Sequence, residues 1–292
     1  MPLGFLLLWS SSFIATRVGL RHLTPLLFVA LRTCLCAVVL VATMLVLRRP
    51  WSVLRGRILH LAVAGVLING VMLMTAHVAM TRVPAAPVAL IQMINPLLTT
   101  VLAGPLLGER LRPLQWLGLV LGAGGVVLTF GLAAFRSRVQ LDLLLLSAGG
   151  VLALCGGTLY FGRFCRGVPV LEGTTVQFIA AALASLAGMA VFETPQADWT
   201  AGAITSLLWN AGCVSLGGMA LYFMMLKRGT AARASAAFYL VPGITALMAW
   251  LLLGESITPL AIAGLAVSSI GCWLISGSGV RVLARSPGKS DI

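Results

Sequence analysis

Carboxylates are scarce in this chain: 7 Asp and Glu stand among 292 residues, and none lies deep inside an apolar run. Asp142 and Glu172 fall at the starts of such runs, Glu109 and Glu255 between runs, and Glu193, Asp198 and Asp291 outside them. A carrier exchanging a hydrophobic cation for a proton needs a buried carboxylate to hold either, so that substrate class is disfavoured. The six cysteines form no C-x-x-C pair, and Cys34 and Cys36 point to different faces of one helix, which argues against a metal site or a disulfide framework. The chain has no G-x-S-x-G, no H-E-x-x-H, no P-loop and no pair of aspartates in its apolar runs. Hydrolysis within a membrane and ATP-driven pumping therefore lack their residues, and no cofactor is called for. Long polar insertions and glycine-serine linkers are missing too, so the chain has no evident soluble domain.

What is there is apolar. Hydrophobic residues make up 60% of the chain, charged ones 9%, and the mean hydropathy is +1.04, which places it in a bilayer. A helix needs about 20 mostly apolar residues to cross the hydrocarbon, because lipid offers nothing to backbone N–H and C=O groups. Ten runs qualify: Leu3 to Leu20, Pro25 to Leu47, Ile58 to Met80, Ala85 to Leu107, Pro113 to Leu132, Leu141 to Gly162, Glu172 to Phe192, Ile204 to Leu226, Ala231 to Leu253 and Pro259 to Gly277. The expected fold is an all-α polytopic membrane protein. The first run has neither a basic leader before it nor a small-x-small cleavage site after it, and is expected to remain as a span.

The net charge of +13 is spread over short loops, so it marks orientation and not a nucleic-acid surface. The even-numbered loops and the tail hold most of it, including Arg48, Arg49, Arg55, Arg57, Arg110, Arg112, Lys227 and Arg228. The odd loops hold only Arg17, Arg21, Arg82, Arg136 and Arg138. The positive-inside rule then puts the even loops and both termini in the cytoplasm, in a cell membrane.

Thr81 to Thr129 reads almost like Lys227 to Ile275 displaced by 146 positions. Pro96 falls on Pro242, Gly108-Glu109 on Gly254-Glu255, Gly118 on Gly264 and Gly125 on Gly271. Two five-helix repeats are expected, 1–134 and 141–278, followed by a cytoplasmic tail at 279–292. Five is odd, so the second repeat enters the membrane upside down, as in many secondary transporters. Gly104 with Gly108 and Gly118 with Gly122 form G-x-x-x-G pairs, suited to packing within a monomer or in a homodimer.

Here the residues resemble a known family. Trp9-Ser10-Ser11-Ser12-Phe13, the Pro25 to Arg32 entry into the second run, the prolines of runs four and nine, and Gly-Glu followed by Pro near the end of each half are similar to the EamA-type branch of the drug/metabolite transporter superfamily. The resemblance covers essentially the whole chain. It implies ten helices in two repeats, cytoplasmic termini and transport of small metabolites, often export of amino acids or related compounds. Two departures stand out: Gln177-Phe178 replaces Arg32-Thr33, and Val241 replaces Asn95 before the repeated proline.

Candidate site residues follow from the breaks. Pro96 and Pro242 fall near the middle of runs four and nine, where a proline frees the carbonyl four residues earlier, here that of Gln92 and Phe238. Matched interruptions in two repeats point to a substrate site at the membrane midplane. Gln92, Asn95 and Thr99 share one face of run four, and Ser235, Tyr239 and Pro242 have the same spacing on run nine. Asn69 and His77 on run three and Ser206 and Asn210 on run eight complete the set. Each polar residue alone reads equally as interhelical glue or as a ligand contact. His77, three residues from a span end, reads first as an interfacial histidine and second as a carrier of a coupling proton. Arg32 reads first as a snorkelling or carbonyl-capping residue and second as an anion site. The expected function is secondary transport of a small molecule by alternating access, not enzymatic chemistry. A non-transporting receptor or structural protein is the alternative.

Overall fold

The computed structural model describes residues 2–92, 94, 95, 98, 99, 102, 113, 114, 116–118, 120–122, 124, 125, 128, 138–218, 220, 221, 224 and 240–277. Helical backbone occurs in every one of the ten expected spans. The first helix is Pro2–Gly19, and the second, Pro25–Val46, opens with proline in its first turn, where the missing N–H costs no hydrogen bond. A 3₁₀ turn, Trp51–Leu54, leads into the third span, Ile58–Met80. The fourth begins as Ala85–Gln92, and the described residues between 113 and 128 are helical in the fifth. The sixth and seventh are Arg138–Phe164 and Val170–Phe192. The eighth starts at Ala201, three residues before the expected Ile204, because Thr200 caps it by accepting from the Ala203 N–H at 3.2 Å. The ninth is described as Val241–Leu253 and ends on Gly254 in the left-handed region at φ 67°; the tenth is Pro259–Gly277. The β structure among the described residues is a single bridge between Leu23 and Ala197.

The bilayer is the solvent for this bundle. Four described helices, Pro25–Val46, Ile58–Met80, Leu141–Phe164 and Val170–Phe192, are long and apolar enough to cross a membrane. Large apolar side chains face outward, with Val46 80% and Phe192 82% exposed, an arrangement that water would penalise and lipid tails accept. The chain is a multi-pass membrane protein.

Loop contacts sort the connections by parity. The Leu26 and Leu27 N–H groups donate to the Glu193 carboxylate, Asp198 N–H donates to the His22 carbonyl, and Thr24 N–H to that of Gln196, so the first and seventh connections lie together. Arg17 joins that end: its Nε meets Glu255 of the ninth connection at 3.1 Å, and its other end donates to the Met80 carbonyl at 2.6 Å where the third span stops. At the opposite end Arg57 donates to the Arg166 carbonyl, and Leu54, Leu61 and Cys165 form one apolar cluster across the second and sixth connections.

The two halves interlock. The first span packs on the eighth and ninth, while the second and seventh lie along one another. Residues 146 positions apart meet where the fifth and tenth spans cross: Ser268 Oγ donates to the Gly122 carbonyl at 3.0 Å. On either side a Cβ at Gly125 would meet the Gly264 carbonyl, and one at Gly271 the Gly118 carbonyl. Numbers rise on one helix as they fall on the other, so these two helices run antiparallel.

The third and eighth spans share a feature that no proline announces. Val66–Val71 and Trp209–Gly218 are π-helical, and the first segment displaced by 146 positions falls inside the second. A π turn widens the helix by one residue and re-aims the side chains around it, and such turns recur at functional sites. Gly65, just before the first one, lies so close to the Gln177 backbone that any Cβ would strike it.

Candidate functional site

A cavity of about 90 Å³ opens between the halves, several times the space one water needs. Its polar edge is Ser12 and Thr16 from the first span, Arg32 from the second, Asn69 and His77 from the third, Gln92 from the fourth and Ser215 from the eighth. Trp9, Phe13, Met72, Met80 and Phe178 supply apolar and aromatic surface. Asn69 and Ser215 stand 146 positions apart, each inside one of the two π segments, so both breaks deliver a polar side chain to the same space.

Arg32 is 5% exposed, and its Nε donates to Ser215 Oγ at 3.0 Å, tying the second span to the eighth. The ion pairs among the described residues are Arg17–Glu255 and His22–Asp198, and no residue of either lines the cavity. Arg32 is thus a buried cation that meets no carboxylate among the described residues. The snorkelling expected of it does not occur, because the second span is packed against the seventh and eighth at that depth.

His77 is also inside the bundle, at 3% exposure, and lines the cavity. A carbonyl can only accept, so Nδ1 carries a proton and donates to Leu73 O at 2.7 Å, leaving Nε2 to face the Thr16 hydroxyl at 3.4 Å. The Phe28 ring covers it with centroids 5.4 Å apart. Three spans therefore bury a histidine that sequence distance alone puts near a surface.

The other candidates divide. Asn69 and Gln92 line the cavity. Asn95 is half-buried, and it is Thr99, one turn on, that reaches the sixth span: the Thr99 hydroxyl lies 3.3 Å from Asn95 Oδ1 and 3.4 Å from Cys155 Sγ, and donates to one at a time. Asn210 is fully buried and uses both ends of its amide, accepting from Ser12 Oγ at 2.7 Å and donating to the Ser206 carbonyl at 3.2 Å. Pro242 sits in the first turn of the described ninth helix, while Pro96, Tyr239 and the Phe238 carbonyl lie outside the described residues. Thr16, Ser215 and Phe178 were not among the sequence-derived contacts, and Arg32 stood there only as a second reading, an anion site. The serine run after Trp9 was their available signal: Ser10 reaches the Val241 carbonyl at 3.4 Å and Ser12 reaches Asn210, placing the first span against the second half.

The serine run, the Pro25 to Arg32 entry and the repeat all lie on one interlocked bundle, and the EamA-like transporter family matches it twice, over residues 2–131 and 143–277. The chain belongs to the EamA-like transporter family. As an EamA-like protein it is similar along most of its length to uncharacterized transporters. YoaV of Bacillus subtilis (strain 168) is 26% identical over 275 residues, 92% of each chain. YvbV of the same organism is 25% identical over 90% of this chain and 86% of its own. The inner membrane transporter YedA of Escherichia coli (strain K12) is 23% identical over 86% of this chain and 81% of its own. One solved crystal structure has a TM-score of 0.68 over 94% of this chain and 95% of its own; at 22% identity it establishes the fold alone. These likenesses point to a transporter in preference to an enzyme.

Proposed function

We propose that this EamA-like protein is a secondary carrier that moves a small metabolite across a cell membrane by alternating access, without covalent chemistry. The observation that carries the reading is the cavity itself. Both halves line it, and matched π segments in the third and eighth spans each place a polar residue there. Irregular backbone at membrane depth is tolerated where it lines a protein-enclosed or wet space, and broken helices at corresponding places in two repeats are a pointer to a transported ligand. The antiparallel crossing of repeat mates supports halves of opposite orientation, because a two-fold axis relating antiparallel helices runs across them and hence in the membrane plane. The charge of the even loops supports cytoplasmic termini.

Purified full-length protein in proteoliposomes, screened with small metabolites with and without a pH gradient, tests this reading. Saturable flux is the expected result, and binding without flux for every compound bound would overturn it. Pro96→Ala and Pro242→Ala are expected to lower flux by more than abundance. Unchanged flux in both reduces the prolines to packing.

A further inference from the structure

We infer that the cavity selects a small organic monoanion, a carboxylate on an uncharged apolar or aromatic body, and that Arg32 anchors it. This rests on the carrier reading above and names its substrate class. Arg32 is more than nine-tenths buried, lines the cavity, and meets no carboxylate among the described residues, so among these residues its positive charge is uncompensated. A buried charge left without a counter-charge is costly, and none of the described residues supplies one to Arg32. The bond from Nε to Ser215 Oγ, at 3.0 Å, uses one edge donor and fixes the guanidinium plane. The two terminal nitrogens make no other hydrogen bond among the described residues, and they form the fork that takes both oxygens of a carboxylate.

The rest of the lining narrows the class. The other polar groups at its edge, Ser12, Thr16, Asn69, His77 and Gln92, are amides, hydroxyls and an imidazole, none of them an anion. A zwitterion would bring an ammonium into a space already holding Arg32, with no carboxylate to receive it, whereas a monoanion brings the site to neutrality. Trp9, Phe13 and Phe178 offer ring faces and edges to an uncharged body. A cationic ligand would face like charge.

The probes are phenylpyruvate and 4-methyl-2-oxopentanoate, against phenylalanine, phenylacetamide and phenethylamine. Binding is measured calorimetrically on full-length protein in nanodiscs, and flux in proteoliposomes. The two oxo acids are expected to bind, the amide and amine to bind at least about tenfold more weakly, and Arg32→Gln to lose about tenfold or more of oxo-acid affinity, the range for a charge-assisted hydrogen bond. Arg32→Lys should keep part of it. Ser215→Ala, which retains the charge but frees the guanidinium, should weaken oxo-acid binding severalfold and decides the matter should Arg32→Gln fail to assemble. Equal binding of amide and oxo acid, preference for phenylalanine or the amine, or Arg32→Gln and Ser215→Ala proteins that bind oxo acids normally would each overturn the assignment. Arg32-dependent binding with no flux would uphold the anion site while removing the carrier reading; flux of other compounds independent of Arg32 would do the reverse.

Discussion

Gln92 and Asn95 sit one turn apart on the same span and yet face different tasks, which makes them the most direct pair to vary. Gln92 lines the cavity, whereas Asn95 pairs with Thr99 beside the sixth span. Gln92→Leu is expected to weaken ligand binding by about 1 to 3 kcal/mol, the cost of an unpaired buried group, with assembly preserved. Asn95→Leu should leave binding intact and lower thermal stability in detergent by about 1 kcal/mol, the size of an interhelical hydrogen bond in a membrane. Calorimetry and a melting curve on each variant check the split, and a reversed result would exchange the two roles. At this scale the sequence identified polar residues but not their directions. Asn69 and Gln92 line the cavity, and so does His77, whose distance from a helix end points instead to an interface. Its burial depends on Phe28 and Thr16 from two other spans, and no count along one helix contains them.

The spans were legible because lipid imposes one rule on all of them, an unbroken apolar run long enough to satisfy the backbone internally. The π segments were not, since they are changes of hydrogen-bond register and leave no residue type as a marker. The glycine before the first one is the nearest thing to a signal. A Cβ at Gly65 would strike the Gln177 Cα and carbonyl, atoms that cannot swing aside, so the third and seventh spans must part. Gly65→Ala is expected to destabilise the bundle by about 1 to 3 kcal/mol, as overpacking does, and to reduce folded yield. Gly149→Ala, in the sixth span with open space around its position, should behave as wild type in the same fluorescence-detected size-exclusion assay. Equal yields for both would mean that the third and seventh spans can separate without cost.

For the whole molecule the relevant question is which end is closed. Arg17 and Glu255, partly exposed at 28% and 17%, tie the first span to the ninth connection at one end of the cavity. Such a pair contributes about 1 kcal/mol or less, which is small for holding a fold but enough to shift a two-state balance about fivefold. Glu255→Gln is accordingly expected to leave melting temperature nearly unchanged while raising the reactivity of Thr16→Cys, in a cysteine-free background, toward a reagent added outside. Unaltered labelling would make the pair ornamental to gating. Reporter fusions at Ile292 and near Trp51 should both read cytoplasmic, and an external C-terminus would remove the inverted arrangement. The displacement of 146 positions was legible in the sequence, and residues so related meet where Ser268 reaches Gly122. The interlocking of the first span with the second half was hidden, because it depends on which apolar surfaces meet and apolar surfaces look alike in sequence.

The hydrogen bond from Ser268 to the Gly122 carbonyl joins two residues that hold the same place in their respective halves, with Gly125 against Gly264 and Gly118 against Gly271 beside it. A contact made by a surface with its own counterpart is isologous, the kind found at the axis of a symmetric dimer. Each half carries the glycines that let this crossing close, while the hydroxyl comes from the second half alone. Joining the two segments in one chain fixes their ratio at synthesis, so that Ser268, where the first half has glycine, can donate in one direction without being matched in return.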